Sequence, residues 1–303
     1  MFSTSNSLSP KVLVVGGDSL IGSRLVEHFR GQGTSVQYTS RRPYNKSPGC
    51  IPLELGKAIV LTKIPEIAIL CAGVTDFRSC EQQPDATRRI NVDAVLELAA
   101  TLYSGGARVL YLSSNAVCEI EKNSVQSESL PLITTELGTQ KFAVERGILA
   151  LGERAAVVRA TKVVSCRVPM FADWIMCLGK QMKILPLCEK YFCPISMVFI
   201  VTWLAELAFR KVSGVFNLSG DCLISYSQFG SQLAVSMSAD YKLVVPTTMV
   251  GAGLPQGRYP QHACLDMKAT TAALGATPQS VESVVHDLLV EHSVMHASGG
   301  LIS

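Results

Sequence analysis

The chain is poor in charge and poorer in aromatic residues: Asp, Glu, Lys and Arg make up 17% of its 303 residues, and Phe, Trp and Tyr 7%. Set against 48% hydrophobic residues, so little charge excludes a disordered chain, which buries too little apolar surface to offset the entropy of ordering. The formal net charge is only +3 and is spread without a basic block, which leaves no electrostatic footprint for nucleic acid or for an anionic membrane. No apolar run nears the roughly 18 residues that a membrane-spanning helix requires. The start, "MFSTSNSLSPK", lacks a basic segment followed by an apolar one, so residues 1–10 read as a disordered lead-in and not as a signal peptide. Cysteine is plentiful, at 10, but has no CxxC pair and no metal-ligand rhythm. Several cysteines lie inside apolar runs, as small hydrophobes do, so the expectation is buried free thiols in a reducing compartment, without disulfides and without a metal site. A soluble, cytoplasmic protein is expected.

What is present is an alternation. "KVLVV" is a β-branched run closed by glycine; "SLIGSRLVEHFRGQG" has helical spacing; "SVQYTS", "EIAILCAG", "RVLYLSS" and "AAVVRA" are further strand-like runs. "DATRRINVDAVLELAATLYSGG" carries apolar residues at helical spacing and ends in a glycine pair, and reads as one helix. Strand and helix in alternation imply an α/β fold, a doubly wound parallel sheet with helices on both faces, whose ligands bind beyond the carboxyl ends of the strands. Beyond residue 166 the rhythm loosens, then "FIVTWLAELAFRK" and "GVFNLSG" read as a helix and strand returning to the sheet. The last part, including "KLVVP" as a short strand, reads as a smaller lobe of helices and short strands.

The turn after the first strand holds Gly16, Gly17, Ser19, Leu20, Ile21 and Gly22. Glycines let the backbone approach a pyrophosphate while the helix start offers unpaired N–H groups, so this turn is the candidate phosphate cradle. At the end of the second strand, where a carboxylate would receive a ribose 2′-hydroxyl, stand Ser40, Arg41 and Arg42, which suit a 2′-phosphate. NADP(H) is therefore expected in preference to NAD(H). Glu54 is placed near the adenine, and Cys71, Ala72 and Gly73 along the pyrophosphate and ribose. The plain alternative is that the glycines are ordinary punctuation and the arginines solvated surface charge.

Gly16 and Gly22 with "CAG", "RINVDA", "YLSSNAV", "GTQKFAVE" and "GVFNLSG" together resemble the extended short-chain dehydrogenases/reductases, nearest to the dTDP-4-dehydrorhamnose reductase and nucleotide-sugar epimerase group. The likeness covers most of the chain; Ser19 stands at the middle position of the GxxGxxG spacing usual there. It implies a Rossmann domain for NADP over 11–166, with 194–220 returning to it. It also implies a C-terminal α+β substrate lobe from 167–193 and 221–295, with a loose tail at 296–303. The implied substrate is a small molecule, a nucleotide-linked sugar. A homodimer and a partner enzyme are the protein assemblies left open.

In that family a Ser or Thr, a Tyr and a Lys act together: the lysine binds the nicotinamide ribose and lowers the tyrosine pKa, and the tyrosine exchanges the proton. By position Ser114 matches the hydroxyl and Lys141 the lysine, while Leu137 stands where the tyrosine would be. Leucine exchanges no proton. Three readings stay open: a reductase or epimerase whose proton comes from water, another side chain (Thr75, Asp76 or Lys162) or the substrate; a catalytically silent dinucleotide-binding regulatory or scaffold subunit; and unrelated chemistry with the bound cofactor. Asn91 is expected to tie its helix to a neighbouring strand, and Arg258 and His262 fall in the substrate lobe.

Overall fold

The computed structural model describes residues 11–42, 47–57, 61, 63–118, 133–253 and 264–297. The expected lead-in, Arg258, His262 and the end of the tail lie outside them. The strands are β1 (Val12–Val15), β2 (Val36–Ser40), β3 (Cys50–Pro52), β4 (Ile67–Leu70), β5 (Arg108–Ser114), β6 (Ala155–Ala160), β7 (Lys162–Val164), β8 (Tyr191–Phe192), β9 (Pro194–Ser196), β10 (Gly214–Leu218) and β11 (Ile224–Ser225). The helices are α1 (Leu20–Gly31), α2 (Phe77–Gln82), α3 (Pro84–Arg88), α4 (Ala94–Ser104), α5 (Glu136–Ala150), α6 (Pro169–Gly179), α7 (Met197–Phe209), α8 (Tyr226–Ser236), α9 (Lys268–Leu274) and α10 (Val281–Ala297).

Seven strands form one sheet in the order β10-β6-β5-β4-β1-β2-β3. The pairs β1–β2, β1–β4, β2–β3 and β4–β5 run parallel. This is the doubly wound α/β sheet that the alternating sequence implies. Strands β1 and β4 are buried at every position because helices cover both faces, which is why they read as continuous apolar runs and not as alternating ones. The chain order reverses between β1 and β4, which puts a crevice at their carboxyl ends.

Contacts divide the chain into two compact units, the first made of 1–113, 135–158 and 204–215, the second of 114–134, 159–203 and 216–303. The core of the first is aliphatic, with Leu13, Leu70, Leu98, Leu102, Val144 and Ile148 packed around the sheet. The core of the second is aromatic: Phe192 stacks on Tyr226 at 4.2 Å between ring centroids, and Phe171 meets Trp174 edge-on at 5.8 Å.

Three expectations need correction. The helix read over residues 85–106 is continuous but not uniformly α: α3 widens into a π turn at Arg89–Asp93 and runs on, with right-handed helical backbone at the junctions, into α4. "KLVVP" is no strand; a 3₁₀ turn occupies Tyr241–Leu243, and only isolated bridges Ile184–Val244 and Leu187–Thr247 follow. Pro246 lacks the N–H that a continued ladder needs. All ten cysteines are free, but they are not uniformly buried: Cys222 is exposed, and Cys50, Cys71, Cys177 and Cys188 are partly so. Cys222 sits in the turn between β10 and β11, outside any apolar run. No described helix is long and apolar enough to cross a membrane, and no group of three or more potential metal ligands occurs among the described residues.

Candidate cofactor site

The crevice at the carboxyl ends of β1, β2 and β4 holds a cavity of about 280 Å³ within the first unit. One wall is the turn after β1. Gly16 has φ +86, a conformation that disfavours any side chain, and a Cβ there would lie 2.8 Å from the backbone nitrogen of Ala72. A Cβ on Gly22 would lie 2.2 Å from the Gly16 carbonyl oxygen. The two glycines therefore let the turn, the start of α1 and the end of β4 close on one another. Ser19 caps α1 by accepting a hydrogen bond from the Gly22 N–H at 3.0 Å, so the missing middle glycine is replaced by a residue that finishes the helix. The Gly16 N–H is spent on the Thr39 hydroxyl, 2.9 Å away, which fastens the turn to β2.

Of the residues named from sequence, Gly16, Ser19, Ser40, Arg41, Arg42, Ala72 and Gly73 line this cavity. Gly17, Leu20, Ile21, Gly22 and Cys71 build its frame without lining it; Gly17 has its Cα against the Tyr38 ring, where a Cβ would lie 2.3 Å from a ring carbon. Glu54 also lines it, exposed and paired with Lys57 at 2.7 Å. Asp18 was missed. Its carboxylate faces the cavity and accepts a hydrogen bond from the Ser40 hydroxyl. Sequence could have offered it as a carboxylate inside the glycine turn, but the eye goes to the strand end where such a group is usually sought.

Lys141 lies elsewhere in the same unit, on α5. Its ammonium is 5.4 Å from the centroid of the Tyr111 ring and 3.5 Å from the Leu112 carbonyl, which it approaches as a weak donor. Burial lowers its pKa to about 8 against the opposing pull of Glu145 one turn later. Burial likewise pushes the Cys71 thiol up to about 12, and it lifts the Tyr111 phenol well above its ordinary value, with Glu145 adding to the rise. Of Lys141, Cys71 and Tyr111, Lys141 is thus the one that titrates nearest neutrality. Leu137, one turn before it on α5, is buried at 3% exposure, so an aliphatic side chain packs at the position matched to the tyrosine.

The proposed substitutes for that tyrosine fare differently. Asp76 caps α2, accepting from the backbone N–H and the hydroxyl of Ser79, both at 2.7 Å; those bonds lower its pKa and keep it a carboxylate. Thr75 is exposed. Lys162 begins β7 in the second unit, half-buried, with its pKa lowered by burial. Ser114 ends β5 and also falls in the second unit; its hydroxyl accepts from the Ala116 N–H at 3.3 Å. Asn91, in the π turn, accepts from the Val74 N–H at 2.7 Å and donates to the Val74 carbonyl at 2.9 Å and to Gln140 at 2.8 Å. It clamps the loop after β4 to α5, a structural duty of the kind expected of it.

Known proteins resemble this chain along nearly its whole length. A probable low-salt glycan biosynthesis reductase, Agl14, of Haloferax volcanii is 24% identical over 89% of this chain and 94% of its own. The methionine adenosyltransferase 2 subunit beta of Xenopus laevis is 24% identical over 84% of this chain and 81% of its own. Among solved structures, the dTDP-4-dehydrorhamnose reductase of Bacillus anthracis in complex with NADP superposes with a TM-score of 0.80 at 16% identity, covering 95% of this chain and all of that one. MoeE5 in complex with UDP-glucose and NAD superposes with a TM-score of 0.75 at 19% identity, covering 94% of this chain and 99% of that one. The sequence profile described as the RmlD substrate binding domain matches residues 10–294, and the chain belongs to that family.

Proposed function

We propose that this chain binds a pyridine dinucleotide, NADP(H) in preference to NAD(H), and acts as a reductase or epimerase on a nucleotide-linked sugar. The observation that carries the reading is the cavity at the switch point of the sheet. Its wall is a glycine turn too tight for a Cβ, and Arg41 and Arg42 stand exposed at its rim. Gly16, Ser19, Ala72 and Gly73 would hold the pyrophosphate and ribose. The dinucleotide, when bound, supplies the hydride. Lys141 and Ser114 take the roles that the family likeness implies, binding the nicotinamide ribose and orienting the sugar. With Leu137 in the tyrosine's place, the ammonium of Lys141, whose pKa burial lowers to about 8, is the group we assign as proton source. The nucleotide-linked sugar is the substrate that the name of dTDP-4-dehydrorhamnose reductase states for that relative, and Agl14 is named a reductase of glycan biosynthesis.

A second reading has its own observation. Leu137 is buried and apolar, and one group of relatives is named as a subunit beta, which fits a dinucleotide-binding regulatory subunit working with a partner enzyme.

Stopped-flow absorbance at the reduced nicotinamide band, with nucleotide-linked 4-ketosugars, separates the two. Oxidation of bound NADPH by the natural chain supports the reductase. A silent natural chain that gains turnover on Leu137→Tyr supports the regulatory reading, a frame that lost only its acid. A folded protein that binds neither NADPH nor NADH overturns both.

A further inference from the structure

The arginines at the rim point to a 2′-phosphate, and their neighbour in the glycine turn works against it. Asp18 lines the same cavity, accepts the hydrogen bond of the Ser40 hydroxyl and lies 4.0 Å from Nε of Arg42. Ser40 is buried at 3% exposure, and its oxygen is already an acceptor for the Arg42 backbone N–H at 3.0 Å. A hydroxyl has one proton to give. Here that proton goes to Asp18, so Ser40 has none left for a phosphate oxygen unless it turns away from the carboxylate. Asp18 is itself an acceptor only. A phosphate monoester brings no donor when fully ionised and about −1.5 to −2 of charge, so it is repelled, whereas a ribose 2′-hydroxyl brings a proton that a carboxylate receives.

The opposing pull is weaker than the number of arginines suggests. The Arg42 side chain is 75% exposed, and its contact with Asp18 is at the outer limit of an ion pair, the screened kind that contributes little. The cavity's other carboxylate, Glu54, is exposed and paired with Lys57, which leaves Asp18 as the buried-side acid at this end.

We propose that Asp18 is a specificity-determining residue for the adenosine ribose. Acting through Ser40 and against Arg41 and Arg42, it narrows the discrimination between the two dinucleotides until the chain accepts NAD(H) as well as NADP(H). The inference rests on the dinucleotide reading above.

The test is titration of the natural chain and of Asp18→Asn with NADPH and NADH, followed by nicotinamide fluorescence. Asparagine keeps the shape and can still accept from Ser40, but it removes the charge. The natural chain is expected to bind both within about tenfold, and Asp18→Asn to shift the ratio toward NADPH by about tenfold or more, the scale of one charge-assisted hydrogen bond. A shift of less than about threefold, or a shift toward NADH, overturns the role of Asp18. A competition experiment on the natural chain needs no variant. 2′,5′-ADP and 5′-ADP should displace the dinucleotide within about tenfold of each other, and a larger advantage for 2′,5′-ADP overturns the proposal even if Asp18→Asn fails to fold. Failure of the folded natural chain to bind either dinucleotide would instead remove the reading on which this inference stands.

Discussion

The first unit has two candidate site regions built on opposite plans. At the glycine turn the work is done by backbone: Gly16 holds φ +86, Gly22 has no room for a Cβ, and Ser19 closes the helix. On α5 the work is left to side chains: Lys141 beside the Tyr111 ring, Glu145 a turn later and Leu137 a turn earlier, all on a helix that would form with many other residues at those positions. A backbone device tolerates few substitutions, because steric room and dihedral angle have no substitute. A side-chain device can be exchanged while the helix stays intact, and Leu137, at the position the family likeness matches to a tyrosine, is proposed as such an exchange. Under the proposed function the cradle would set what the chain binds, and α5 would set the kind of chemistry.

The harshest way to break that comparison is at the cradle. In Gly22→Ala the new methyl group would stand 2.2 Å from the Gly16 carbonyl oxygen and 2.7 Å from the Ser19 hydroxyl that caps α1, so the turn must open. Overpacking of this kind costs about 1–3 kcal/mol. The expected outcome is a lower melting temperature together with loss of dinucleotide binding by about a hundredfold or more, the scale of a few kcal/mol. Binding within a few-fold of the natural chain would show that the dinucleotide does not seat on this turn.

A middle-sized effect belongs to α5. Burial holds the Lys141 pKa near 8, below the 10.5 of an ordinary lysine. The unfolded chain thus carries more protons than the folded one between those values, so unfolding free energy rises as pH climbs through that window and is flat below it. Lys141 is half-buried, so solvent screening trims the gain to about 1–2 kcal/mol. Urea titrations at pH 7.5, 9 and 10.5 on the natural chain and on Lys141→Met check it: the variant should lose that part of the slope. If both chains gained stability equally with pH, Lys141 would be better solvated than its surroundings imply.

How much of this was legible in the sequence follows from the same contrast. The sheet was readable because β1 and β4 are buried on both faces and so appear as unbroken apolar runs. The cradle was readable because its glycines are dictated by backbone geometry. The helix before β5 was legible as a helix, but its π turn at Arg89–Asp93 was not, because widening one turn of backbone leaves the helical spacing of apolar residues in place. Asp18 was invisible as a partner of Ser40, since the two are 22 residues apart and meet only when β2 pairs with β1. The 3₁₀ turn at Tyr241–Leu243 was hidden because "KLVVP" has strand composition, and only its lone bridges show that no ladder forms.

The smallest effect sharpens the comparison from the side of α2. Asp76 follows the end of β4, where a proton donor standing in for the tyrosine implied by the family likeness would be expected, and the candidacy rests on that placement alone. Its carboxylate, however, is occupied by the Ser79 N–H and hydroxyl, and those bonds hold its pKa below the ordinary carboxylate value. A donor must carry a proton at working pH, and a helix cap with a lowered pKa does not. Asp76→Asn keeps an oxygen for the Ser79 N–H, so dinucleotide affinity and any turnover should match the natural chain, with only a slight loss of thermal stability that disappears at acid pH, where the natural carboxylate takes up its proton and the two chains become alike. A fall in turnover at unchanged affinity would place Asp76 in the chemistry and make the loop after β4 a third such region of this unit.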